Sequence, residues 1–242
     1  MAEIRKNPNI GATRLGLIIP SVNAVIEPEF ARIAPEGFSF HAARVMLRET
    51  TPEGIRAMNT EVTSAARLVA SVNPKAVAYA CTTGSFLEGV DATRRQVAEI
   101  STITGCPVIA TSAAMVEALR ELKVRKIALA TPYLDVMNEI EKRYLESQGF
   151  QVVSMRGLQL SGKAIREVQP DRILEFVRTV NAKEAEAVFV SCTDFRAIEA
   201  VPALEAELGK PVLTSNSVTL WALMRACGHV LRRAELGRLF NS

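Results

Sequence analysis

The chain repeats itself. "RLGLIIPSVN" from Arg14 is answered by "KIALATPYLD" from Lys126, and "AVAYACTTGSF" from Ala76 by "AVFVSCTDFRA" from Ala187. "GCPVIATSAAMVEALREL" from Gly105 is answered in the same order by "GKPVLTSNSVTLWALMRA" from Gly209. Three matches in one order require two copies of one folding unit. Within each copy, short continuous apolar runs alternate with helix-length patterns. Runs at 15–20, 38–45, 76–80 and 107–110 read as strands in the first copy, and runs at 127–131, 151–155, 187–191 and 211–214 in the second. Helical patterns cover 53–72, 92–103, 113–122, 137–148, 171–181, 199–208 and 218–226. Strands without polar alternation are buried on both faces, which means parallel sheets covered by helices. The fold class is therefore α/β, with two pseudo-symmetric Rossmann-like domains. The first is expected over 14–110 with 215–242, the second over 111–214, the last helix returning to the first half.

Composition narrows the function. The 242 residues carry a net charge of only +3, and no Lys/Arg block suggests a nucleic-acid footprint. No apolar run reaches the length of a membrane span. The polar start, "MAEIRKNPNIGAT", lacks the apolar stretch of a signal peptide and is expected to be a loose tail on a cytoplasmic protein. Four cysteines without a CxxC pair, with only two histidines, argue against a zinc site and against a disulfide framework. No GxGxxG follows the first strand and no GxxxxGK[ST] occurs, so no cofactor or metal is expected.

The repeat places a cysteine, Cys81 and Cys192, at the carboxyl end of the same strand in each copy. Ligands of open parallel sheets bind at those ends. A turn and a helix follow each cysteine, so backbone N–H groups and a positive helix end are expected to lower the thiol pKa and to offer donors to a carboxylate. A lone cysteine is ordinarily a small buried hydrophobe, and Cys106 and Cys227, which have no counterpart in the other copy, are read that way. A symmetric pair, each followed by threonine, is read as functional. The same repeat sets Ser21 opposite Tyr133 and Asn23 opposite Asp135, so both loops should face the cleft. Asn23 also suits a helix cap. Arg196 could meet an anion or sit on a helix surface; His41, His229 and Trp221 are read as structural.

The two cysteine segments resemble those of the aspartate/glutamate racemase superfamily. "GLIIPSVNAVIEPEF" from Gly16, "ACTTGSF" and "SCTDFRAIEAVPALEAELGKPV" are most similar to the maleate cis–trans isomerase branch, beside the arylmalonate decarboxylases. The resemblance spans about Arg14 to Gly228. It implies a nucleophile at Cys81 and a general acid/base at Cys192. It also implies that Asn23, Ser21 and Tyr133, with Thr82, Thr83 and Thr193, bind a small dicarboxylate or amino-acid-like substrate, and that the protein is a homodimer. The implied reaction is maleate to fumarate; a racemase fits the same two-thiol pattern, and a two-lobed small-molecule binding protein is the alternative of another class. The sequence departs from the family in "LQLSGKAIREV", where Ser161 and Gly162 stand near the usual position of an asparagine that binds a carboxylate. Either a carboxylate is held differently here, or the second substituent is not one.

Overall fold

The computed structural model describes residues 13–242. The expected N-terminal tail lies outside them. The first sheet comprises β1 (Thr13–Pro20), β2 (Phe38–Val45), β3 (Ala76–Tyr79) and β4 (Val108–Ala110), in the order β2-β1-β3-β4. The second comprises β5 (Lys126–Thr131), β6 (Gln151–Gly157), β7 (Ala187–Val190) and β8 (Val212–Thr214), in the order β6-β5-β7-β8. Every pairing is parallel. The repeat holds at the level of register: Leu15 pairs with Ala76 in the first half, and Ile127 with Ala187 in the second. β3 and β7 are buried at every residue, as continuous apolar runs in an inner position require. In each sheet the chain leaves the first strand to one side and returns on the other. That reversal opens a crevice at the carboxyl ends, where Cys81 and Cys192 lie.

The helices are α1 (Ile26–Ile33), α2 (Pro52–Asn59), α3 (Val62–Ala70), α4 (Thr82–Phe86), α5 (Gly89–Thr104) and α6 (Thr111–Glu121). They continue with α7 (Asp135–Ser147), α8 (Ala164–Glu167), α9 (Pro170–Val180), α10 (Val201–Leu208) and α11 (Ser215–Ala226). The helix expected over 53–72 is two. Thr51 caps α2 by accepting from the Gly54 N–H at 3.1 Å, and Thr60 ends it by turning its hydroxyl back to the Ala57 carbonyl at 2.7 Å. α9 shows why these segments are helical: Ile173, Phe176, Val177 and Val180 are buried at helical spacing. Burial of each such side chain contributes about 1.5–3 kcal/mol. α11 lies against α6, β3 and β4, and a hydrogen bond of 2.8 Å joins Thr111 to Thr219 between the two helices. One buried apolar cluster runs through both sheets. No helix of the described residues is long and apolar enough to cross a membrane.

Candidate active site

Cys81 follows β3 in extended backbone and caps α4 with its sulfur. The Gly84 N–H donates to Sγ at 3.3 Å, and the Thr83 hydroxyl lies at 3.5 Å. Gly84 is required there, because a Cβ would collide with the Tyr79 hydroxyl beneath. Cys192 follows β7 at φ +91°, a conformation that L side chains rarely adopt. Such a residue costs about 1–3 kcal/mol and persists only where its surroundings over-determine it. Ser215 is one such constraint: its hydroxyl accepts from the Cys192 N–H at 2.9 Å and from the Thr82 hydroxyl at 2.9 Å, tying the two cysteine loops together. The Asp194 N–H donates to the Cys192 sulfur at 3.4 Å.

Both thiols line one cavity. Its walls also include Asn23, Thr82, Thr83, Tyr133 and Thr193, with Pro20, Val22, Leu47 and Ile165 as the apolar part and Thr50, Gly162 and Asp194 completing it. The free volume is small, ≈ 30 Å³. A larger open groove of ≈ 290 Å³ between α5, β4, α6 and α7 contains no thiol. The segment that carries Gly162 and Ile165 is fastened over the thiols by Arg166. Its guanidinium donates to the Val22 carbonyl at 2.9 Å and to Asp194 at 3.4 Å.

Enclosure reverses one expectation. Burial raises the pKa of both thiols, against the lowering expected from the helix ends. The donors are present, but desolvation of a charge outweighs them in so narrow a cavity. The two shifts differ in cause. Cys81 is raised by burial alone, opposed by Thr83 and by the N–H groups of Gly84 and Thr83. Cys192 is raised strongly by burial and further by the negative charge of Asp194, opposed by the Asp194 N–H and the Tyr133 hydroxyl. Cys81 therefore ionises more readily, and Cys192 keeps its proton. Tyr133 is itself pushed well up by burial and by its neighbours Cys192 and Glu141, so its hydroxyl stays a donor.

Of the residues singled out in the sequence, Asn23 does two things. Its Oδ1 accepts from the N–H groups of Val25 and Ile26, capping α1, while its Nδ2 donates to the Thr193 hydroxyl at 3.1 Å. Thr193 in turn donates to the Ala80 carbonyl at 3.2 Å, linking the halves. Tyr133 is held by its own N–H on Thr131 and its carbonyl on Asn138. Ser21 is the exception: it does not line the cavity. Its hydroxyl accepts from the Leu47 N–H at 3.0 Å, so it positions the wall residue Leu47. Asp135 accepts from Gln159 at 2.7 Å and is likewise outside. Arg196 lies on a separate groove with Glu29, Arg32 and Glu199.

Asp194, Arg166 and Ser215 were not anticipated. Only Ser215 had a signal, a hydroxyl residue at the start of the last helix of both repeats, matched by Thr111. Among the described residues no Lys or Arg lines the cavity, so there the substrate's charge meets neutral donors and one acid. Among the described residues no group of three or more His, Cys, Asp and Glu is placed to hold a metal ion.

Comparison with known proteins agrees with this geometry. Residues 15–240 match the family model described as arylmalonate decarboxylase. The maleate isomerase of Pseudomonas putida is 29% identical over 227 residues, 88% of this chain and 91% of that protein. The arylmalonate decarboxylase of Bordetella bronchiseptica is 29% identical over 231 residues, 94% of this chain and 96% of that protein. A solved structure of a cysteine-to-serine mutant of Nocardia farcinica maleate cis–trans isomerase, with a covalently bound succinylcysteine intermediate, superposes with a TM-score of 0.89. It is 26% identical, and the match covers 95% of this chain and 98% of that one. The chain belongs to the arylmalonate decarboxylase family, in the maleate isomerase branch of the aspartate/glutamate racemase-like superfamily.

Proposed function

We propose that the protein is a cofactor-independent cis–trans isomerase that converts maleate to fumarate through two cysteines. The observation that carries this reading is the pairing of two thiols on one small cavity with unequal surroundings: donors around Cys81, a negative charge beside Cys192. The Cys81 thiolate adds to C2 of the cis-enedioate. The C2–C3 double bond becomes single, and the electron pair moves onto C3 and its carboxylate. Cys192 gives its proton to C3. Rotation about C2–C3 follows. The Cys192 thiolate then removes a proton from C3, the sulfur of Cys81 leaves C2, and the trans double bond forms. Covalent addition divides one high barrier into lower ones. Asn23 and Tyr133 hold the two carboxylates, helped by the backbone N–H groups of Thr82, Thr83 and Thr193, because the Thr82 and Thr193 hydroxyls already donate to Ser215 and Ala80.

The relatives named maleate isomerase, and the succinylcysteine seen in the Nocardia protein, support the same chemistry. One observation favours a second reading. Among the described residues the cavity has Asp194, an apolar wall and no cationic side chain, which suits a monocarboxylate with an acidic α-hydrogen; the two thiols would then serve as a racemase's acid and base. Proton NMR in heavy water separates them. Fumarate from maleate supports isomerisation, α-hydrogen exchange of an added amino acid or 2-substituted acid without fumarate supports racemisation, and neither result sinks both. On the family resemblance we also propose a cytoplasmic homodimer; a monomer by light scattering at micromolar concentration contradicts the dimer.

A further inference from the structure

The head of α11 reaches both halves of the molecule. Its first two residues, Ser215 and Asn216, are buried. Ser215 holds the N–H of Cys192. Asn216 has no part in the isomerisation, yet it is fully engaged. Its Nδ2 donates to Oε2 of Glu29 on α1 at 2.6 Å and to the Thr193 carbonyl at 3.1 Å, while its Oδ1 is buried without a partner. An unpaired buried oxygen is costly, and a serine in this place would avoid it. What the amide supplies is two hydrogens on one nitrogen, one for each oxygen. The matching helix of the first half shows the simpler arrangement: Ser112, the second residue of α6, donates its one hydroxyl hydrogen to the Ser85 carbonyl at 3.1 Å.

The Thr193 carbonyl belongs to the same peptide unit as the Asp194 N–H. A trans peptide is planar, so fixing the direction of its C=O fixes its N–H to point the opposite way. The Asp194 N–H is the group that donates to the Cys192 sulfur, at 3.4 Å. Asn216 therefore grips one end of a peptide whose other end meets the thiol. A donor on the carbonyl also polarises the peptide and strengthens its N–H as a donor. On the other side of Cys192, Ser215 holds the Ser191–Cys192 peptide by its N–H. Cys192, at φ +91°, stands between two pinned peptides.

We propose that Asn216 is a positioning residue for Cys192: by holding the Thr193 carbonyl it aims the Asp194 N–H at the sulfur and stabilises the thiolate that remains once Cys192 has given its proton to carbon. The inference rests on the reading of Cys192 as the proton-bearing thiol, which the isomerase and the racemase share. Asn216 does not line the cavity, and its effect passes through one peptide. Its orientation is fixed, because an amide turned over would set Oδ1 against the Thr193 carbonyl, acceptor against acceptor.

The test is alkylation of both thiols by iodoacetamide at neutral pH, with the peptides containing Cys81 and Cys192 quantified by mass spectrometry in one sample. Alkylation tracks the thiolate fraction and needs no substrate, so its outcome is independent of whether maleate yields fumarate. Both thiols line one cavity, so the ratio of their rates divides out any change in how often that cavity admits the reagent. In Asn216→Ala, which cannot donate, the Cys192-to-Cys81 ratio should fall about tenfold, as expected for loss of one hydrogen bond to a charged group. Asn216→Ser can still donate one hydrogen, as Ser112 does, and should lie nearer the wild type than Asn216→Ala. Should Asn216→Ala fail to fold, Asn216→Leu, close to asparagine in volume, replaces it and is judged by the same ratio. A ratio equal to the wild type's or above it overturns the inference. An Asn216→Ser ratio as low as that of the variant without a donor overturns it equally, because packing and not donation would then be the cause.

Discussion

Glu29 offers a pH-dependent stability test that does not touch the thiols. It lies on α1, 7% exposed, and accepts from Asn216 Nδ2 at 2.6 Å; the same amide donates to the Thr193 carbonyl at 3.1 Å. Burial, and secondarily the charge of Glu199, pushes its carboxyl from 4.5 up to about 8, while Asn216, Arg32 and Arg196 pull the other way. The folded protein therefore holds this proton more tightly than the unfolded chain. The group's contribution to stability is full below about pH 4.5 and is lost as pH rises through about 8. Each pH unit inside that window is worth about 1.4 kcal/mol. Allowing for half-titration at the upper end, the wild type should lose about 3 kcal/mol from this group between about pH 5.5 and about pH 8. Glu29→Gln keeps the oxygen that accepts from Asn216 and cannot titrate. Groups common to both proteins cancel in the difference. Urea unfolding of the two proteins across that range should thus show a stability gap that moves by about 3 kcal/mol in favour of Glu29→Gln as pH rises. Parallel curves would refute the reasoning, because they would mean that Glu29 ionises in the folded protein as it does in the unfolded one.

Other expectations concern the site. Cys81→Ser and Cys192→Ser should fold yet lose about a hundredfold or more of turnover, since serine cannot supply a thiolate, whereas Cys106→Ser and Cys227→Ser should leave turnover near the wild type; near-normal activity of Cys192→Ser would end the two-thiol mechanism. Arg166→Ala removes the hydrogen bonds that fasten the Gly162–Ile165 segment to Val22 and Asp194, so kcat/KM should fall about tenfold or more while Cys81 alkylates faster in the absence of substrate; unchanged alkylation would show that the segment is closed by other means. At Cys192, where φ is +91°, glycine should be more stable than alanine by about 1 kcal/mol in urea unfolding, the reverse of the ordinary order. Greater stability of alanine would show that the backbone there is unstrained.

The repeat made most of the architecture legible. Matching apolar positions at Leu15 and Ile127, and at Ala76 and Ala187, take equal register in the two sheets. The cysteines were legible for the same reason: a strand end in a parallel sheet is a place, and the chain marked it twice. The break at Thr60 was not, because a threonine in an amphipathic pattern reads as helix until its hydroxyl is seen bonding back to Ala57. Nor was the sign of the thiol shifts, which depends on how tightly Arg166 and Ile165 close the cavity from the far half of the chain. Asp194 and Glu141 escaped notice because a carboxylate in a sequence carries no sign of its burial. Ser21 misled because the repeat aligned its backbone with that of Tyr133, while its short side chain satisfies Leu47 instead.

The central claim is that Cys81 forms a bond to carbon and Cys192 handles the proton. Removing the second group should strand the first in its covalent state. Cys192→Ser is therefore incubated with maleate, quenched in acid and mapped by peptide mass spectrometry. The account predicts an added mass of one maleate on the peptide containing Cys81, seen in no digest of Cys81→Ser. A Cys192→Ser protein with Cys81 unmodified, or with the adduct on Cys106 or Cys227 instead, would contradict it.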